Sequence, residues 1–138
     1  MKDWEIFEED VAELLNGKRQ AGSGNSCIAF KKGDIKCEDY LVECKYTEKD
    51  CYTLSSKTFE KIVFEAINCF KIPLFACRSK AGDFFIGYKL DFLDGECEYE
   101  DLGEVKSVKV TKPFQCKLKA DNGIYDVVCW EVNLEDFD

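Results

Sequence analysis

The 138 residues include no histidine. Its absence removes the commonest side chain for general acid–base work near neutral pH, so serine or cysteine triads built on histidine are excluded. Nine cysteines stand at 27, 37, 44, 51, 69, 77, 97, 116 and 129, yet no two form a Cys-x-x-Cys pair. Zinc centres need thiolates and imidazoles at short fixed spacings, and those spacings are missing, so no zinc is expected. Most of the cysteines fall within apolar runs such as Val128-Cys129-Trp130, which reads as buried, reduced thiol acting as a small hydrophobe. No run approaches the length of a membrane span, and the charged amphipathic start lacks the form of a signal peptide. A soluble, cytoplasmic protein with no membrane partner is expected.

A basic excess is missing too. The formal net charge is −9, but it is unevenly placed. Residues 1–89 hold 14 Lys+Arg against 15 Asp+Glu, whereas residues 90–138 hold 5 against 13. The acidic excess therefore belongs to the second segment, and basic residues cluster in the first at Lys18-Arg19, Lys31-Lys32, Lys45 and Lys57. That distribution lowers the expectation of nucleic-acid binding without abolishing it. With 46% apolar and 14% aromatic residues, the chain can bury a core as a single domain, with an acidic, β-rich extension over 90–138 packed on a core over 1–89.

The richest stretch runs from Gly33-Asp34 to Lys45. Leu41-Val42-Glu43-Cys44-Lys45 has the composition of a strand, and alternation sends Glu43 and Lys45 to one face and Cys44 to the other. A carboxylate beside an ammonium, with the Asp34 carboxylate on an adjoining turn or strand, makes a site for one or two divalent metals. The same tripeptide also fits a cross-strand ion pair on a solvated sheet face.

Upstream, Trp4, Phe7, Val11, Leu14 and Leu15 recur at helical spacing, and Gly17 is placed to end that helix. At about 100° per residue, Glu8 falls at the rim of the apolar stripe while Glu9 and Glu13 point away. Glu8 can thus lean over a sheet edge, although a solvated helix charge meets the same geometry. Ala21 to Ser26 reads as a turn and Cys27–Phe30 as a strand. Downstream, Thr53 to Ser56 offer N-caps for a helix with Phe59, Ile62, Val63, Ala66, Ile67 and Phe70 inward and Lys57, Lys61 and Glu65 on the opposite, wet side. Ile72–Cys77 is continuously apolar, as a strand covered on both faces should be. Strand, helix and strand then form a crossover with two parallel strands, and Phe84–Tyr88 reads as an antiparallel edge strand. Val105–Val110 alternates as one strand, followed by a hairpin of Phe114–Lys119 and Ile124–Glu131 turned at Asp121-Asn122-Gly123.

Taken in order, Phe7-Glu8, Arg19 to Gly24, Lys32-Gly33-Asp34, Glu43-Cys44-Lys45, Thr47, the helix carrying Lys61 and Glu65, and Ile72–Phe75 resemble the PD-(D/E)XK nuclease superfamily. Within it they resemble the Holliday junction resolvase-like branch of archaea and phages, over residues 3 to 88. Gly33 stands where the superfamily's namesake motif has proline, and a Gly-Asp variant occurs in this branch. The resemblance implies a restriction-endonuclease-like α/β core, with a central mixed sheet flanked by helices. It also implies a Mg²⁺- or Mn²⁺-dependent DNA endonuclease of recombination and repair, active on four-way or branched DNA in a bacterial or phage-infected cell. Asp34, Glu43, the Cys44 carbonyl and Glu8 would ligate metal, and Lys45 would position the water or stabilise the pentavalent charge. Arg19, Ser23, Lys32, Thr47 and Lys57 would contact DNA. A two-fold homodimer would match the two equivalent scissile positions of a symmetric junction. The alternatives are a nuclease of the same fold acting on a nick, flap or duplex, and a non-catalytic acidic interaction protein. Retention of every site residue type argues against the last. For protein prepared under reducing conditions, titration after denaturation should find nine thiols and metal analysis no zinc. Stoichiometric zinc would overturn this reading of the cysteines.

Overall fold

The described residues of the computed structural model are 2–15, 18–19, 35–92 and 98–134. Gly17 and the Cys27–Phe30 segment read as a strand lie outside them. Leu41 to Lys45 form the middle of strand β3 (Tyr40–Tyr46), which pairs in parallel with β5 (Ile72–Ser79), Glu43 opposite Phe75 and Lys45 opposite Cys77. A parallel pair needs a crossover, and this one contains α2 (Ser56–Asn68). Ser55 is the N-cap of α2, its Oγ accepting the Thr58 N–H at 3.1 Å. Of the helix face expected inward, Phe59, Ile62, Val63 and Ala66 are buried, but Ile67 is 59% and Phe70 95% exposed. The helix stops at Asn68, so Phe70 falls beyond its last turn. There it takes a left-handed conformation, φ 57°, while the Lys71 N–H returns to the Ala66 carbonyl at 2.8 Å. Glycine normally occupies such a C-terminal turn.

Before β3 come α1 (Asp3–Leu15), β1 (Lys18–Arg19) and β2 (Ile35–Lys36). After β5 come β6 (Gly82–Tyr88), the short α3 (Lys89–Phe92), β7 (Glu100–Val105), β8 (Ser107–Val110), β9 (Phe114–Lys119) and β10 (Ile124–Glu131). Eight strands form one mixed sheet in the order β1-β2-β3-β5-β6-β10-β9-β7. β6 is therefore not the edge strand that its position in the chain suggested. β10 pairs antiparallel along its free side, from Val127 opposite Tyr88 to Glu131 opposite Phe84. Phe84 to Gly87 are accordingly buried consecutively, as in a strand covered on both faces and set inside a sheet.

The hairpin β9–β10 closes as its sequence predicts, with the Ala120 N–H on the Gly123 carbonyl at 2.8 Å. The alternating run 105–110 is not one strand. β7 pairs in parallel with β9, whereas β8 leaves to pair with β4 (Tyr52–Ser55) in a separate two-stranded sheet. Between them the Lys106 carbonyl accepts the Ser56 N–H at 2.7 Å.

The sheet is covered on both faces. On one, Phe7, Val11 and Ala12 of α1 pack with Ile35, Val42, Cys44 and Leu74. Trp4, also assigned inward from spacing, is exposed. On the other, Phe59, Ile62 and Val63 of α2 pack with Phe75, Cys77 and Ile86. Each fully buried side chain of this size contributes about 1.5–3 kcal/mol. Arg78 ties α1 to the sheet. Its Nε and Nη2 reach the Asp83 carboxylate at 2.7 and 3.0 Å, and its guanidinium lies 4.9 Å from the Phe7 ring centroid.

The buried Glu60 anchors α2 to the hairpin. It accepts hydrogen bonds from the Tyr125 hydroxyl (2.8 Å) and from the side-chain and backbone N–H groups of Asn122 (2.9 and 3.2 Å). Burial alone would raise the Glu60 carboxyl pKa, but these bonds outweigh it and hold it below its ordinary value. Its contribution to stability is thus present above the ordinary carboxyl pKa and lost as pH falls through the lowered one. Burial, followed by the bond to Glu60, pushes the Tyr125 hydroxyl up to about 12. A raised pKa means that the stability Tyr125 contributes is complete below its ordinary value of 10.0 and lost as pH rises through about 12. Tyr125→Phe should cost about 1 kcal/mol at pH 7 and flatten the fall of melting temperature above pH 10. Parallel alkaline limbs for the two proteins in a pH series of melting curves would contradict this assignment.

Candidate active site

Strand alternation in β3 separates two kinds of side chain. Val42 and Cys44 join the α1 cluster, while Glu43 and Lys45 face the side of α2. The Cys44 thiol is a core group, as its place between the two charged residues predicts. Lys45 Nζ lies 3.5 Å from Glu43 Oε1, with the side chains 43% and 20% exposed. The lysine is thus wet enough to meet a substrate, and the carboxylate is largely screened from bulk water.

The pair opens into a pocket of about 160 Å³ lined by Glu43, Lys45, Tyr52, Thr58, Lys61, Ile62 and Glu65. Lys61 and Glu65 therefore do not lie on a face turned away from the strand. The buried stripe of Phe59, Ile62, Val63 and Ala66 sets the roll of α2, and Thr58, Lys61 and Glu65 fall on its flank beside β3. The sequence carried that signal as a polar i, i+3, i+7 series next to the apolar one. Tyr52 packs its ring on Phe75, centroids 5.3 Å apart. Burial raises its hydroxyl pKa, Lys45 opposes the rise, and Cys77 and Glu43 add to it.

The other expected residues are spread more widely. Thr47 follows β3 directly; its N–H donates to the Arg78 carbonyl at 3.0 Å and its Oγ1 accepts the Lys49 N–H at 3.2 Å. It lines a second hollow, of about 410 Å³, with Tyr46, Glu48, Arg78, Ser79 and Lys80. Lys57 is exposed in the first turn of α2. Arg19 is described through its backbone, which pairs with Ile35. Ser23, Lys32 and Asp34 lie outside the described residues; Asp34 directly precedes Ile35, the partner of Val42. Glu8 is half-exposed at the rim of α1 and Glu9 is exposed. α1 packs against the Cys44 face, so Glu8 comes from the side of β3 opposite to the one the Glu43 side chain faces.

Among the described residues, no group of three Asp, Glu or Cys could hold a metal ion. What they offer matches a hard divalent cation in kind: Glu43 and Glu65 bring carboxylate oxygens into a pocket whose lining has no thiol or imidazole. Beyond Val42, the described strands pair β3 on the β5 side. Among the described residues no helix is long and apolar enough to cross a membrane.

No protein-family model and no curated relative matches the chain. Among solved structures, it is similar to Hjc, a Holliday junction resolvase of the archaeal hyperthermophile Archaeoglobus fulgidus. The identity is 23%, the match covers 58% of this chain and 72% of that one, and the TM-score is 0.44.

The rim position of Glu8 sets up a comparison within α1. If its carboxylate serves a hydrolytic site around the sheet edge, Glu8→Gln should slow cleavage by that site by more than tenfold, a loss of more than about 1.4 kcal/mol. Glu9→Gln should stay within a few-fold of wild type. Equal rates for the two variants would remove α1 from the site.

Proposed function

We propose that the chain is a metal-dependent endonuclease hydrolysing DNA phosphodiester bonds, with four-way or otherwise branched DNA as its substrate and a two-fold homodimer as its working form. The observation that carries this reading is the Glu43–Lys45 pair, 3.5 Å apart on one face of β3 and opening into a pocket that Lys61 and Glu65 complete. Phosphodiester hydrolysis needs an oriented water and compensation of charge on a pentavalent phosphorus. The lining balances two carboxylates with two ammonium groups, so its formal charge is zero. It therefore takes a phosphate anion and a divalent cation together more readily than either alone.

Glu43, the Cys44 carbonyl and Asp34 would hold the Mg²⁺ or Mn²⁺, with Glu8 as a further carboxylate. The bound ion would supply a more acidic water and neutralise the scissile phosphate. Lys45 does the rest from the protein side: its ammonium orients the attacking water and offers positive charge as the phosphorus becomes pentavalent. Glu43, 3.5 Å away, holds the Lys45 ammonium at the pocket. The chain's basic residues Arg19, Lys32 and Lys57, with Ser23 and Thr47, would hold the backbone of the DNA on either side. The acidic excess of residues 90–138 keeps DNA from spreading over that end of the molecule.

Incubation with a synthetic four-way junction and with matched linear duplex, each with and without Mg²⁺, tests the reading directly. Cleavage of the junction in Mg²⁺ or Mn²⁺ is expected, with Ca²⁺ supporting binding only. Lys45→Ala should lower the rate by about a hundredfold or more at unchanged melting temperature, and Glu43→Gln should also raise the metal concentration required. Protein that cuts equally well with its metal chelated, or a Lys45→Ala variant of wild-type rate, would end the proposal.

A further inference from the structure

The strand pair of the pocket faces a helix pair whose role the reaction chemistry above leaves open. Lys61 and Glu65 stand one helical turn apart and line the same pocket as Glu43 and Lys45. Lys61 is exposed and lines the pocket together with the buried Ile62. A lysine side chain is long enough to present its ammonium at the mouth of such a pocket. The roll of α2 is fixed by four buried side chains and by the Ser55 cap, so Lys61 is delivered from a rigid element rather than a loop. The neighbouring Lys57 is exposed in the first turn, away from this lining.

The shape and chemistry of the pocket narrow what Lys61 can meet. A volume of about 160 Å³ has room for a phosphate group and water. The one aromatic ring of the lining, Tyr52, packs on Phe75. Ammonium groups then approach from two directions, Lys45 from the strand and Lys61 from the helix.

We infer that Lys61 is a phosphate-binding residue of this pocket, gripping the non-bridging oxygens of the bound phosphodiester from the α2 side while Lys45 acts at the reacting side. This rests on the reading of the pocket as a phosphodiester site. It adds a division of labour: Lys61 serves binding, Lys45 serves turnover.

Lys61→Gln keeps most of the stem and removes the charge, and Lys61→Arg keeps the charge. Both are compared with wild type, Lys45→Ala and the surface control Lys119→Ala on β9. Binding to a synthetic four-way junction is measured in Ca²⁺ over a salt series, and cleavage in Mg²⁺. For Lys61→Gln, affinity should fall about tenfold and the slope of log affinity on log salt should shrink by about one. KM should rise more than kcat falls, at wild-type melting temperature. Lys61→Arg should restore affinity and slope, Lys119→Ala should match wild type, and Lys45→Ala should lose kcat while still binding. Wild-type affinity and slope in Lys61→Gln, or a loss that arginine does not restore, overturns the role of Lys61 while leaving the nuclease intact. Wild-type protein that neither binds nor cuts DNA overturns the phosphodiester reading, and the Lys61 role with it.

Discussion

A strand covered on both faces has little room for charge, and β3 carries two charged residues in its middle. Val42 and Cys44 on one side are held by the α1 cluster, and Leu41 on the other packs with Ala66 and Cys69. Because the side-chain period is two, Glu43 and Lys45 must share the α2 face. A slip of one residue would drive both into the α1 core and turn the apolar set outward. Leaving either one desolvated and alone would be costly. The structure resolves this by setting them beside each other and by keeping the polar flank of α2, rather than its apolar stripe, over them. The pocket follows from that solution.

α2 consequently has three working surfaces within 13 residues. Its central stripe fills the core between β5 and β10. One flank, through Thr58, Lys61 and Glu65, closes the pocket. The other, through Glu60, grips the turn of the β9–β10 hairpin. The hairpin therefore braces the helix that forms one wall of the pocket, although it is remote from β3 in the sheet order.

Much of this was legible in the residues. Leu41 to Lys45 announce a strand by composition, and the alternation that separates Cys44 from its charged neighbours needs nothing but period two. The hairpin could be placed to the residue because Asn122-Gly123 suits a tight turn and alternating strands flank it. Long-range pairing was not legible. Nothing local in Phe84–Tyr88 tells whether a later strand will cover it, and β4 finds β8 only because Leu54, Val108 and Val110 share a core assembled from distant segments. Glu60 looks like an ordinary helix-surface charge, since the groups that satisfy it stand 62 and 65 residues away. Lys61 and Glu65 were visible as a polar stripe, but which way that stripe faced depended on the roll of α2. Reading Ile67 and Phe70 as inward tilted the stripe away from β3.

The pairing of β10 with β6 also bears on how the chain avoids association during its own folding. β6 is a run of Phe84, Phe85 and Ile86 whose one side is satisfied early by the nearby β5, while its other side waits for a strand some forty residues further on. Without β10 that side would present an apolar template of open N–H and C=O groups, the kind that recruits strands from other molecules. With β10 in place, the border of that half of the sheet among the described strands is β7, whose Glu100, Asp101 and Glu104 are solvent-facing. Two such borders repel each other. The acidic excess of the second segment thus stands where it turns a sticky edge into one that resists adding another chain.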